Sequence, residues 1–399
     1  ANWADYDNDG RLDYFQEAWL EPCRVFRGEA DGKFSLVTAD IGINQPLPGW
    51  GPWGYSWVDY DRDGFLDLYL TTGWTDSKTS DQLFRNRGNG TFEKADSHYF
   101  AGMGDSQYAC WADYDDDGDP DVMVGSMGFV ANLFRNEGDG RFLDVSARAL
   151  PQTPTIFGAW GDYDQDGDLD LLSGKLFAND GQGRFLVKTG NEAPVNGIST
   201  WVDYDNDGCL DAFVSDFVTW RRYIYRYDRD TKTFQEVKLS GLSLDPMAVA
   251  GFAWADYDND GFQDLVICTG RGGGTSRLYH NNGNGNHWLL VKLIGTASNR
   301  DAIGAKVRAQ ASIGGKVTWQ MQELSGDSMV GERRAHFGLR NATNVTTLRI
   351  EWPSGTVQEL ANVAPNQIPT FSELIALKLV LKPDVDFALN IRAEPNRAW

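Results

Sequence analysis

A chain of 399 residues has room for a large repeat domain, a smaller domain and a full hydrophobic core. Its formal charge of −21, with no basic stripe to offset phosphate, excludes nucleic acid as a partner. No apolar run approaches the roughly 18 residues of a membrane span, so none is expected.

The first residues, Ala1-Asn2-Trp3, already lie inside a repeat, so any signal peptide is expected to have been removed or never included. At Asp5 begins the dominant motif, Asp-Tyr-Asp-x-Asp-Gly-x-x-Asp. It returns at Asp59, Asp113, Asp162, Asp203 and Asp256, at intervals of 54, 54, 49, 41 and 53 residues. Four carboxylates in nine residues repel one another unless a hard cation sits among them, and the sixth-position Gly permits the turn that folds them round one point. Six copies therefore predict about six Ca²⁺ ions, which would bring the net charge from −21 to −9. The expected ligands are the first, third, fifth and ninth side chains and the seventh backbone carbonyl. These are Asp5, Asp7, Asp9, Arg11 and Asp13, then Asp59, Asp61, Asp63, Phe65 and Asp67. The third loop offers Asp113, Asp115, Asp117, Asp119 and Asp121, and the fourth Asp162, Asp164, Asp166, Asp168 and Asp170. The last two offer Asp203, Asp205, Asp207, Cys209 and Asp211, and Asp256, Asp258, Asp260, Phe262 and Asp264. A helical calcium hand would need a carboxylate at position twelve, where this chain has Gln16, Leu70, Val124, Ser173, Val214 and Ile267.

Each motif sits in a longer unit. A Trp precedes the first Asp by two residues (Trp3, Trp57, Trp111, Trp160, Trp201, Trp254), and a short apolar run such as Asp67-Leu68-Tyr69-Leu70 follows. A hairpin signal comes next, Leu83 to Phe92, Leu133 to Phe142 and Leu176 to Phe185, with degenerate forms at Val25 to Phe34, Ile224 to Phe234 and Leu278 to Trp288. Four short strands per unit predict an all-β fold, a calcium-binding β-propeller over residues 1–285. The motif, its flanking Trp and the hairpin together resemble the FG-GAP/VCBS repeat of integrin-α-like propellers. Six motif-bearing blades are visible. Because such propellers usually have seven, the ring is expected to be six- or seven-bladed.

After Gly285 the pattern changes. Asn286 to Leu293 alternates like a strand, followed by Ser298 to Val307, His336-Phe337-Gly338-Leu339 and Glu351-Trp352-Pro353-Ser354-Gly355. These motifs resemble the ASPIC/UnbV domain that follows such repeats in cartilage acidic protein and related bacterial secreted proteins. Residues 286–373 read as a small antiparallel β-sandwich. Residues 374–399 read as a C-terminal extension, a closing or inter-subunit strand.

No catalytic constellation is recognisable. The four His (His98, His280, His287, His336) are unpaired in sequence and read as structural. The four Cys (Cys23, Cys110, Cys209, Cys268) read as scattered buried thiols, with one or two disulfides left open. On the face opposite the acidic loops, Trp50, Trp53, Trp74, His98, Tyr99, Trp220 and Arg221 form a candidate ligand surface, weighed against simple packing between blades. The expected function is an extracellular, secreted or cell-surface, calcium-stabilised protein of binding, adhesion or assembly. Its partner would be an extracellular protein or glycan ligand, or a second copy. Two alternatives stay open: a secreted enzyme (lyase, cyclase or glycan-active) with its pocket opposite the calcium loops, and a structural subunit of an extracellular array.

Overall fold

The computed structural model describes residues 2–16, 23–43, 52–73, 81–95, 98–100, 105–126, 130–150, 157–188, 197–216, 221–238, 242, 249–269, 275–327 and 332–374. Antiparallel sheets in simple up-and-down order make up the first two thirds. Blade 1 is Asn2–Ala4, Asp13–Gln16, Arg24–Gly28 and Phe34–Leu36; blade 2 is Pro52–Val58, Asp67–Thr72, Gln82–Asn86 and Phe92–Lys94. Blade 3 runs from Ser106–Ala112 to Phe142–Asp144, blade 4 from Ala159–Gly161 to Phe185–Val187, and blade 5 from Gly197–Val202 to Thr233–Val237. The sixth sheet has three described strands, Val249–Ala255, Asp264–Thr269 and Arg277–Tyr279. One helical turn, Ser146–Ala149, and one 3-10 turn, His98–Phe100, are the described exceptions to the all-β chain. No helix among the described residues is long and apolar enough to cross a membrane.

The strands stand on edge between neighbours, so alternate residues serve two different seams. Along Asp67–Thr72, every residue of which is buried, Leu68 and Leu70 pack towards blade 1 while Tyr69 packs towards blade 3. Met123 and Leu171 likewise share the seam between blades 3 and 4, and Leu172 and Ala212 the seam between blades 4 and 5. Each such fully buried Leu contributes roughly 1.5–3 kcal/mol. The second-position Tyr of one blade stacks on the Trp of the next: Tyr6 on Trp57 (6.3 Å between centroids, 10° between planes), Tyr114 on Trp160 (6.0 Å, 13°) and Tyr163 on Trp201 (5.7 Å, 3°).

The last strands form two sheets of their own. Arg334–Arg340, His287–Ile294 and Thr370–Ser372 make one; Lys316–Glu323, Lys306–Ile313, Val345–Glu351 and Val357–Val363 make the other. Leu289, Val291, Leu293, Val307, Phe337, Leu348 and Ile350 fill the space between them. Two sequence expectations are corrected here. The sandwich is not wholly antiparallel, because His287–Ile294 and Thr370–Ser372 run parallel. The Leu278 to Trp288 segment does not close a hairpin in blade 6: past the turn at Gly283 and Gly285, the strand His287–Ile294 joins Arg334–Arg340. Its alternating apolar residues are drawn into the C-terminal core, which overrides the local turn signal. The expected closing strand in residues 374–399 lies outside the described residues beyond Leu374. Cys110, Cys209 and Cys268 are free thiols, and Cys268 is exposed rather than buried.

Candidate metal centres

Each acidic nonapeptide joins the first two strands of a blade. Its fourth residue is left-handed in all six copies (Asn8, Arg62, Asp116, Gln165, Asn206, Asn259; φ from +55° to +64°), and so is its sixth-position Gly (φ from +84° to +99°). Two left-handed residues in a short loop curl it back on itself, and Gly takes the second without steric cost.

Backbone N–H groups then aim the carboxylates. The first Asp accepts from the Gly amide, at 2.8 Å for Asp5, 3.2 Å for Asp59 and 2.9 Å for Asp203. The ninth Asp accepts from the Tyr amide with one oxygen and from the third strand with the other, as in Asn86 N to Asp67 Oδ1 at 2.7 Å. The fifth Asp accepts from the seventh amide, as in Arg11 N to Asp9 Oδ1 at 2.9 Å. What remains is a set of converging oxygens from the first, third and ninth positions. Asp5, Asp7 and Asp13 form one such group, and Asp59, Asp61 and Asp67, Asp113, Asp115 and Asp121, and Asp162, Asp164 and Asp170 form others, with ligand atoms within 4.8 Å of one another. In the second, third and fourth loops, Oδ1 of both the first and the third Asp is buried with no hydrogen-bond partner.

That arrangement is costly without a counter-charge. Burial, reinforced by the neighbouring carboxylates, pushes Asp59 and Asp162 up to about 7. Asp170 rises to about 9 chiefly through burial, and Asp67, Asp121 and Asp211 are driven well above the usual carboxylate range for the same reason. A bound divalent cation would remove the repulsion and satisfy the orphaned oxygens at once. The donor set, carboxylate oxygens only in the first four loops, suits a hard ion such as Ca²⁺.

Three recurring partners carry no signature in the motif as read from sequence. The Asn that ends the third strand clamps adjacent blades: Asn86 Nδ2 donates to Tyr6 O (2.8 Å) and Leu66 O (3.0 Å), and Asn136, Asn179 and Asn281 repeat the pattern. The fourth loop position, written x, links loops in series. Asn8 donates to Gly64 O (2.8 Å), Arg62 to Gly118 O (2.9 Å), Gln165 to Gly208 O and Asn206 to Gly261 O (2.9 Å). Asp116 cannot donate, and there Arg308 spans from Asp116 (3.5 Å) to Gly167 O (3.4 Å). The third partner is a third-strand Arg lying over two of the loops: Arg85 pairs with Asp61 and Asp63, and Arg226 with Asp205 and Asp207.

The C-terminal sheets sit directly on this rim and touch every loop. Asp301 accepts from Asp5 N (3.0 Å) at loop 1, and Ala297 O lies against Gly64 at loop 2. Lys306 is buried at loop 3, its Nζ 2.8 Å from Asp113 Oδ2, and Arg308 reaches loop 4. Gly338 passes so close to Asp203 of loop 5 that a Cβ there would lie 1.9 Å from its carboxylate. His336 Nε2 lies 3.2 Å from Gly261 O at loop 6. At the seam between blade 6 and blade 1, Tyr257 and Trp3 stand 52% and 44% exposed. Arg333, bonded to Trp3 O and Asp301, and Arg334, bonded to Asp256 O and Asn259, span that seam from the C-terminal side.

The candidate ligand face is described only in part. Trp50, Trp74 and Trp220 lie outside the described residues, as does the side chain of His98. Trp53 and Arg221 are exposed, on blades 2 and 5, while Tyr99 is half-buried against Phe142. A cavity of about 170 Å³ lies where the inner strands meet the C-terminal sheets, lined by Trp111, Trp160, Trp201, Trp254, Glu323 and Asp327 among others.

Among solved structures, the chain is similar to a protein from Lactobacillus plantarum (12% identity, 88% of this chain and 96% of that one, TM-score 0.43). It is also similar to Saccharomyces cerevisiae Sqt1 (12%, 91% and 83%, TM-score 0.43) and to the exotype rhamnogalacturonan lyase YesX (13%, 91% and 71%, TM-score 0.41). No curated protein matches. The profile named ASPIC and UnbV matches residues 295–377. The FG-GAP-like repeat profile matches residues 5–70, 72–124, 129–173 and 203–267, more than half of the chain. With six acidic-loop blades and a C-terminal pair of sheets in view, the chain belongs to the FG-GAP-like repeat family, as a β-propeller protein carrying an ASPIC/UnbV domain.

Proposed function

We propose that this is an extracellular, calcium-stabilised module of binding, adhesion or assembly, in which the ions act as structural staples. The observation that carries this reading is the paired, buried, unpartnered carboxylate oxygens of Asp59 and Asp61, Asp113 and Asp115, and Asp162 and Asp164. While ionised, such oxygens need a cation beside them. Most ligand oxygens of a site would come from one short loop and its own strand, so each ion pins the start of a blade. Because the unfolded chain has no preformed site, binding free energy becomes folding free energy. Sites of this oxygen-rich kind fill at the calcium levels outside cells, which favours a secreted or cell-surface setting. The partner would be a protein or glycan, or a second copy. Calorimetric titration of chelator-stripped protein should count about six calcium ions. The same sample should recover ligand binding or self-association only when calcium returns. Uptake of no calcium would remove the basis of the reading.

A further inference from the structure

We infer that the sixth loop is a mixed nitrogen–oxygen site, built on Asp258, Asp264 and His280, that takes a transition-metal dication of the zinc class in preference to calcium. The inference rests on reading the acidic loops as cation sites and specifies the ion at one of them. In the first four loops the converging groups are carboxylates from the first, third and ninth positions; in the sixth, an imidazole converges with the third and ninth carboxylates.

His280 follows directly on the third strand, just before the clamping Asn281. The same position is Arg27, Arg85, Arg135 and Arg226 in four other blades and Ala178 in the remaining one. Where Arg85 and Arg226 lie over their loops they pair with the third- and fifth-position carboxylates, as fixed cations beside the site. His280 replaces that cation by a group which, when neutral, offers a lone pair. Its Nδ1 lies 3.2 Å from Asp264 Oδ1 and 3.6 Å from Asp258 Oδ2. Neighbouring ligands of a tetrahedral ion with bonds of about 2.0–2.1 Å are about 3.3–3.4 Å apart, so the imidazole nitrogen already stands near that separation from each of the two carboxylates.

The surroundings hold the ligands in place. Asp264 is buried, and its oxygens also accept from Tyr257 N (3.3 Å) and Asn281 N (2.7 Å). The Tyr257 ring packs edge-on against the imidazole, 6.0 Å between centroids. Three protein donors leave a further position for water or an outside ligand, and imidazole selects zinc-class ions over calcium. Asp258 and His280 are both exposed enough for an ion to enter.

The test is titration of the intact chain with Zn²⁺ in excess calcium, alongside His280→Arg, which installs the residue four other blades carry. One zinc per chain should bind without displacing the calcium held elsewhere. His280→Arg should weaken zinc by at least ~10–100-fold while calcium stoichiometry at the other loops and the melting temperature in calcium are retained. Cobalt added in place of zinc should give a visible nitrogen-ligand absorption band in the parent that is missing in the variant. Equal zinc affinity in parent and variant, or no zinc uptake in calcium, would overturn the inference. A chain that binds cobalt at His280 yet takes up no calcium would instead refute the calcium reading and leave this one standing.

Discussion

At the scale of single residues, the third-strand Asn carries a larger structural load than its place in a turn suggests. Asn86 is fully buried and its amide bridges backbone carbonyls of two blades. Asn86→Ala strips both carbonyls of their donor and opens a small void, so it should cost about 2–4 kcal/mol, measured by denaturant unfolding in saturating calcium. Asp81 offers a pH test away from the loops. It is buried, accepts from Tyr69 OH (2.7 Å) and Thr72 N (2.8 Å), and burial raises it to about 6. A carboxyl raised on folding adds stability that is complete below its unfolded value near 4 and lost as pH rises through 6. The amount is on the order of 3 kcal/mol. The stability difference between parent and Asp81→Asn should therefore change by that order between pH 4 and pH 6. A difference flat with pH would show that Asp81 does not titrate there.

At the scale of elements, the chain announces its loops and strands but not how they lean on one another. The period of the acidic motif, its Gly and the apolar run after it are local signals, and each loop forms where they place it. The fourth position was legible only in hindsight. Four of its six residues, Asn8, Arg62, Gln165 and Asn206, donate to the next loop, yet nothing in a nonapeptide says that the next loop's carbonyl is in reach. Blade 6 misled for the opposite reason: its turn signal at Gly283 and Gly285 is genuine, but the strand after it finds a larger apolar partner in the C-terminal core. The docking of that core on the rim is open to a direct test. A Cβ at Gly261 would fall 1.8 Å from the Trp288 ring at φ +87°. Gly261→Ala should cost about 2–4 kcal/mol and raise amide exchange at loop 6 and along His287–Ile294 more than in blades 2 and 3. Uniform exchange across all blades would argue against a localised seat.

At the scale of the whole molecule, acidic loops and C-terminal sheets form one mechanical unit. Every loop is touched from above by Asp301, Ala297, Lys306, Arg308, Gly338 or His336. Motifs such as His336-Phe337-Gly338-Leu339 thereby gain a physical reason: Phe337 and Leu339 face the core while His336 and Gly338 press on loops 6 and 5. Sequence likens that domain to its family but does not show where it sits, because the contacts join residues 75 to 330 positions apart. The central claim is that calcium holds this unit together. The measurement that tests it most directly is a thermal melt of the intact chain in 1 mM calcium and in chelator. With sites of about 10 μM affinity, each ion adds about 2.7 kcal/mol, and six together should raise the melting temperature by tens of degrees. Superimposable melts in calcium and chelator would contradict the account.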